Sequence, residues 1–488
     1  MLSAMHEDFE ACYRAISSRD ARFDGRFFTA VTSTGIYCRP VCPAQTPRRA
    51  NVRFYTSAAA AEAAGFRACR RCRPHLAPPA ASGDRLADRA LALLAAGVAD
   101  GGTGITAVAR RLAVSDRHLH RVLRSAVGAG PLTLARMRRL QTARTLIEQT
   151  AMPITDVAMC AGYRSLRQFN SEVRAGVGIT PTELRSRRRS RLEGDGAIVL
   201  RLGVRPPFDG PALLRFFAAR AIAGVESCTT TALTRSVRLP HGAAVVELEP
   251  QPQHLVARVW LDDSRDLGAC VESCRRLFDV DAQPQAIAAV LGADPLLAPL
   301  VAARPGLRVP GCVDPGEIAF RAVLGQQVSV GRATALAGRL AAICGEPLVR
   351  PRDGVERLFP SAASIAAADL SGLGLTTERA ATVRRLATAL ASGDVDLAAA
   401  GSDDAGASLR AIRGIGEWTA SYVAMRGLRD PDAFPAGDLG LRHAFARTAE
   451  GDAGTLVTRA ERWRPWRAYA ALHLWETLNS PPTTETTP

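Results

Sequence analysis

Four cysteines, Cys38, Cys42, Cys69 and Cys72, stand as C-R-P-V-C and C-R-R-C near the start of a 488-residue chain. That spacing constrains the first domain more than any hydrophobic pattern does. Two thiol pairs separated by a ribbon-length loop suit one tetrahedral Zn²⁺. A zinc-bound thiolate is either an inert staple or a nucleophile. Spacing alone leaves both readings open, and it does not choose Cys38 over Cys69.

The chain is too long for one core, so three or four domains are expected. Residues 1–190 hold 30 arginines against 14 acids, while residues 191–488 hold 32 against 33, so the basic excess lies wholly in the first part. Such asymmetry points to a polyanion, nucleic acid above all, unless the charge is merely a solvated face. Every one of the 62 basic residues is arginine. No signal peptide is visible in MLSAMHEDFEACYRA, and the most apolar window, 286–303, is interrupted by Asp294, Pro295 and Pro299. The expectation is a cytoplasmic, nucleoid-associated protein with no membrane partner, whose 11 cysteines are thiols or metal ligands.

The fold class expected is multi-domain α+β. Residues 1–79 read as a small zinc-bound α/β module and 80–190 as an all-α pair of helix-turn-helix units. A small α+β sheet domain follows at 191–302, then a nearly all-helical domain at 303–479 and a disordered tail at 480–488. Strand-like alternation marks 197–204, 236–239, 243–250 and 254–261, and 213–224 reads as helix.

Segments 105–128 and 153–184 repeat one rhythm. Small residues at Ala109 and Ala158 let two helices cross closely, and Gly162 makes the turn of the second copy. The following helices present Arg117, His118 and Arg121, or Arg164, Ser165 and Arg167, to a major groove. The paired units ending in G-x-T-P-x-x-L resemble the AraC-type DNA-binding domain. The alternative is a helical bundle with a basic face.

The stretch 26–75, through TGIYCRPVC, NVRFY and AAGFRACRRC, resembles the N-terminal domain of the Ada adaptive-response protein. The resemblance implies that Cys38 is both ligand and sacrificial acceptor of a methyl group from a DNA methylphosphotriester. One Zn²⁺ would then be structural and activating at once, keeping the thiols deprotonated. Methylation would reduce the site from net −2 to −1, so that Arg39, Arg48, Arg49, Arg70, Arg71 and Arg73 bind DNA more tightly.

Downstream, IRGIGEWTA at 412–420 reads as helix, glycine hairpin, helix. Gly414 and Gly416 allow a sharp turn with close backbone approach, and the next helix N-terminus offers N–H groups to a phosphate. With Asp438 after Pro435-Ala436-Gly437, this arrangement over about 196–478 resembles the AlkA-type 3-methyladenine DNA glycosylases of the helix-hairpin-helix superfamily. The resemblance implies Asp438 as catalytic carboxylate and Trp418, Tyr422 and Trp475 as the pocket for a flipped base, although a lone tryptophan equally suits a core. It also implies DNA contacts from Gly414, Ile415, Gly416 and Thr419. In GQQVS, Gln327 occupies the place of an apolar wedge.

Without lysine no Schiff base forms, so a monofunctional enzyme without lyase activity is expected. No cysteine follows Cys344, and neither an iron-sulfur cluster nor an organic cofactor is expected. The Pro-Cys-His-Arg string of an alkylguanine methyltransferase is missing, and that activity is expected to be missing too. Together these features read as a damage sensor, a promoter-bound activator with RNA polymerase as its target, and a glycosylase acting on alkylated double-stranded DNA. Two alternatives remain: a regulator with an inactive glycosylase half, or a glycosylase beside a purely structural zinc finger.

Overall fold

The computed structural model describes residues 8–20, 23–69, 71–72, 74, 85–95, 97–99, 104–186, 196–397, 402–449 and 453–479. Arg70, Arg73, the linker 75–84 and the tail 480–488 lie outside them. The architecture is multi-domain α+β, and it divides into two compact units. One comprises Met1–Leu200, Leu239–Gly242 and Leu261–Glu272; the other comprises Arg201–Arg238, Ala243–Trp260 and Ser273–Pro488. No helix among the described residues is long and apolar enough to cross a membrane.

The first unit begins with helix Phe9–Ser17 and a four-stranded sheet in the order Val52–Tyr55, Phe28–Val31, Ile36–Cys38, Arg67–Ala68. The sequence TSTG closes the central hairpin, with Gly35 at φ +64° returning its N–H to the Val31 carbonyl. Side chains alternate across the pleat. Phe27 and Val52 pack beneath Cys12 and Ile16, while Phe28, Ala30 and Tyr37 pack against Ala61 on helix Ala58–Ala63.

Both helix-turn-helix copies follow one local recipe. Ser115 and Ser165 cap the 12-residue helices Asp116–Val127 and Leu166–Val177, accepting from His118 N and Gln168 N, and the left-handed glycines Gly128 and Gly178 end them. Leu119, Leu123 and Val127 in one, and Phe169, Val173 and Val177 in the other, bury the same i, i+4, i+8 stripe. The preceding turn uses Gly162 at φ +84° in the second copy but Ala113 at φ +53° in the first. Glycine therefore marked only one of the two turns in the sequence.

Apart from Ile198–Leu200 and Leu261, which fall in the first unit, the second unit contains a sheet in the order Ile198–Gly203, His254–Leu261, Ala243–Gln251, Leu233–Arg238, Glu226–Cys228. Its helix Gly210–Ala218 stops earlier than the apolar run 213–224 suggested. The region 303–479 is mostly helical, as expected, but it also carries a β-hairpin, Pro347–Arg352 with Val355–Arg357. Asp353 and Gly354, both at positive φ, make the turn.

Two apolar clusters fill this helical region. One is built on Ile318, Phe320, Leu336, Leu386 and Val423, the other on Leu441, Phe445, Trp463, Ala470 and Leu474. Tyr422 packs against both and so stands at the seam between the clusters.

His473 is 4% exposed in the helix Arg467–Asn479, where burial first and the charge of Arg304 second pull its imidazole down to about 4. The unfolded chain binds that proton near the ordinary value of about 6.5. This group's contribution is therefore complete above about pH 6.5 and is lost as pH falls toward 4. Between pH 7 and 4.5 the loss is about 2 kcal/mol. Urea unfolding at the two pH values is expected to show that loss in the wild type and to flatten by the same amount in His473→Leu. An unchanged acid limb in the variant would refute the assignment.

Candidate functional site

Parallel pairing of Tyr37 with Ala68 explains how cysteines 31 positions apart come together, because it sets Cys38 and Cys69 side by side at the ends of two strands. The sulfurs of Cys38, Cys42, Cys69 and Cys72 all lie within 4.8 Å of one another, and Cys42 and Cys69 are 4.0 Å apart. Tetrahedral zinc with bonds of about 2.3 Å needs sulfur edges of about 3.8 Å. The four thiols therefore fit that ion with little adjustment. Hydrogen bonds to Cys42 and Cys72, then burial, push the Cys38 thiol far up, while Cys42 is the sulfur pulled down.

Cys69 and Cys72 are buried, whereas Cys38 and Cys42 are partly exposed. They open into a cleft of about 910 Å³ lined also by Thr34, Gln45, Arg48, Arg67 and Arg71. Cys69 lines the same cleft, but Cys38 and Cys42 are the more exposed of the four residues, a distinction that spacing could not make. The Arg39 N–H donates to Cys72 Sγ at 3.3 Å and so supports the cage. Beside the cage, the Tyr37 hydroxyl donates to Glu62 at 2.7 Å, tying the Cys38 strand to the neighbouring helix.

The arginines expected on DNA divide. Arg48 and Arg71 are exposed. Arg39 is instead engaged by Asp24, with Nε to Oδ1 at 2.8 Å. Arg49 pairs with Glu10 and lies 4.7 Å over the Tyr13 ring. In the helix-turn-helix copies, Arg117, Arg121, Arg164 and Arg167 are exposed, and Arg121 meets His118 Nδ1 at 3.1 Å. Ser165 spends its hydroxyl on the helix cap.

In the second unit the hairpin joins helices Ser402–Arg410 and Glu417–Arg426. Gly414 is required there: its φ is +97°, and an added Cβ would lie 2.1 Å from Thr382 Oγ1. Gly416 has an ordinary extended backbone, caps the second helix without any side-chain bond, and has open space around it. The helix N–H groups behind it are therefore free to meet a phosphate. Ile415 and Thr419 are buried, at 6% and 2% exposure. Their side chains serve the interior, and any DNA contact here falls to the backbone.

Asp438 begins the helix Leu439–Ala449. Its Oδ1 accepts from the Leu441 N–H at 2.8 Å and from Trp475 Nε1 at 2.9 Å, and its Oδ2 accepts from Trp418 Nε1 at 2.8 Å. Three donors on two oxygens, with no donation required in return, suit a carboxylate. Trp418 stacks on Tyr422, centroids 5.4 Å apart and planes 16° from parallel. The indole edges are thus committed to Asp438, and the aromatic slab stands beside it.

Behind the slab lie residues that the sequence reading missed. The Tyr422 hydroxyl accepts from Arg426 Nη1 at 2.9 Å, and Arg426 is fixed by the Pro310 and Gly311 carbonyls. Arg220 and Arg426 lie 3.9 and 4.7 Å over the Phe216 ring. Burial raises the Tyr422 phenol, but the charges of Arg426, Arg220 and Arg321 outweigh it, and the net direction is down. Arginine inside the apolar runs RFFAARA and YVAMRG was the available signal.

Four family descriptions match the chain in sequence order. Residues 11–75 match the metal-binding domain of Ada, 108–187 a helix-turn-helix domain, 199–314 the AlkA N-terminal domain, and 320–468 the HhH-GPD superfamily of base excision DNA repair proteins. A Mycobacterium tuberculosis protein described as "Probable bifunctional transcriptional activator/DNA repair enzyme AlkA" is 47% identical over 98% of both chains. DNA-3-methyladenine glycosylase 2 of Escherichia coli is 37% identical over 57% of this chain and 96% of its own length. The solved 3-methyladenine DNA-glycosylase of Archaeoglobus fulgidus shares the fold, with a TM-score of 0.51 at 22% identity over 56% of this chain and 96% of that one.

Proposed function

Because the chain belongs to the AlkA-type family of bifunctional transcriptional activator and DNA repair enzymes, we propose that it senses alkylated DNA through Cys38, binds a promoter through its helix-turn-helix pair, and excises alkylated bases as a monofunctional glycosylase. The observation that carries the excision is the Asp438 carboxylate, held by two indole N–H groups and a helix terminus beside a stacked Trp418–Tyr422 slab.

In base excision, the flipped nucleotide places its sugar against Asp438 and its base along the aromatic slab. As the glycosylic bond breaks, its electron pair leaves with the base, and positive charge on the sugar faces the fixed carboxylate. Water then adds to the anomeric carbon and releases a proton, leaving an abasic site. A base alkylated on a ring nitrogen carries positive charge, stacks on electron-rich rings and leaves as a neutral molecule.

In sensing, Cys38, Cys42, Cys69 and Cys72 would hold zinc, which keeps the thiols deprotonated when bound. The Cys38 sulfur attacks the methyl carbon of a phosphotriester. A sulfur–carbon bond forms, the carbon–oxygen bond breaks, and its electron pair stays on the phosphate oxygen as a diester anion. Arg48 and Arg71, exposed at the cleft, suit that backbone. No reductant or regenerating group is used, so the transfer happens once per chain.

The testing experiment incubates purified full-length protein with methylated duplex DNA and measures released base, strand breaks, bound zinc and protein mass. The expected result is base release with intact strands, together with one methyl gained per chain. Efficient strand cleavage, or base release with no methyl uptake under any alkylation regime, would overturn the monofunctional or the sensing part respectively.

A further inference from the structure

Resting on the glycosylase reading, we propose that Gln326 and Gln327 have divided roles: Gln327 enters the base stack, and Gln326 is the positioning residue that fixes it relative to the hairpin. Gln327 is exposed and holds φ +54°, a left-handed conformation that is unfavourable for a non-glycine residue. A loop in that state persists only if its neighbours over-determine it.

They do. The two amide hydrogens of Gln326 donate to the Gly414 carbonyl and to Thr419 Oγ1, each at 3.0 Å. The Gln326 backbone carbonyl in turn accepts from Arg379 Nη2 at 2.6 Å. From the same helix as Arg379, the Thr382 side chain, whose hydroxyl donates to the Glu378 carbonyl at 2.9 Å, packs against the hairpin and leaves no room for a Cβ at Gly414. The Gln326 carboxamide thus joins the loop to the hairpin, and its backbone carbonyl joins the loop to the helix Thr377–Ser392. That carboxamide has no donor left for DNA. Thr419, buried with its hydroxyl on Gln326, belongs to this clamp.

The physical consequence concerns where force is transmitted. A hairpin that grips the DNA backbone and a side chain that enters the stack open a base pair only if the distance between them is fixed. If the clamp is cut, the hairpin still binds phosphate while the inserting residue yields. Cutting the clamp therefore impairs flipping and leaves both binding and the carboxylate intact.

The test uses full-length protein and duplexes carrying one 7-methylguanine, either fully paired or within a bulge where the stack is already open. In the paired duplex, Gln326→Ala and the isosteric Gln326→Glu, which lacks the donor, are expected to slow single-turnover base release at least tenfold, with duplex affinity within threefold of wild type. In the bulge the loss is expected to shrink below threefold, as it should also for Gln327→Ala. Equal losses in both contexts for the isosteric variant, no loss, or a loss of affinity alone would overturn the proposal. A wild-type protein that releases no base from either duplex would overturn the glycosylase reading, and this inference with it.

Discussion

Asp438→Asn is expected to slow base release by at least about 10³-fold, because it removes the one negative charge facing the sugar while keeping the side chain's size. Three N–H groups converge on the two carboxylate oxygens. In the variant an amide nitrogen must face one of those donors, so a stability loss of about 1–3 kcal/mol is expected as well. Duplex affinity, carried by the hairpin backbone and the arginines, should stay within threefold. Single-turnover release from alkylated DNA, beside binding and thermal midpoint, separates these effects. Activity within tenfold of wild type would remove Asp438 from the mechanism and favour a glycosylase half that only holds DNA.

The second large effect concerns methyl uptake. After exposure to DNA bearing methylphosphotriesters, the wild-type chain is expected to carry its methyl on Cys38, localised by fragmentation of the peptide that also contains Cys42. Cys38→Ala should take up none. Since that variant also removes a metal ligand, mapping of the wild type is the decisive measurement, and a methyl found on Cys42 would reassign the acceptor. The gain in DNA affinity follows from charge. Removing one negative charge about 6 Å from a phosphate relieves about 0.7 kcal/mol at the dielectric of water, so two such phosphates give about a tenfold gain. Salt should erode it, because the screening length is about 10 Å at 0.1 M. A salt-independent gain would mean that methylation acts through conformation instead.

How much of this was legible in advance depended on the range of the interaction. The metal ligands stood out because ligand spacing is a local constraint, and the helix-turn-helix copies because caps and a buried i, i+4, i+8 stripe are set within twelve residues. Individual contacts were less legible. The sequence could not show that Arg39 and Arg49, expected on DNA, pair with Asp24 and Glu10. Ile415 and Thr419 sit in the hairpin expected to bind backbone, yet both are buried. Gly416, read as a turn residue, has ordinary dihedrals, and the turn belongs to Gly414.

By itself, the sequence determined the four thiols, the paired helices, the glycine hairpin, the acid that follows it, and the lack of any lysine for Schiff-base chemistry. The tertiary structure decided how exposed each ligand residue is, with Cys38 and Cys42 partly exposed and Cys69 and Cys72 more deeply buried. It also decided what orients the acid: Trp418, 20 residues before it, and Trp475, 37 after. Arg220, more than 200 positions away, reaches the wall behind Tyr422. Ligand spacing and turn chemistry act over a few bonds of chain and can be read along it. The partners of Asp438 meet only where two helical cores close on one another, and no local pattern records that seam.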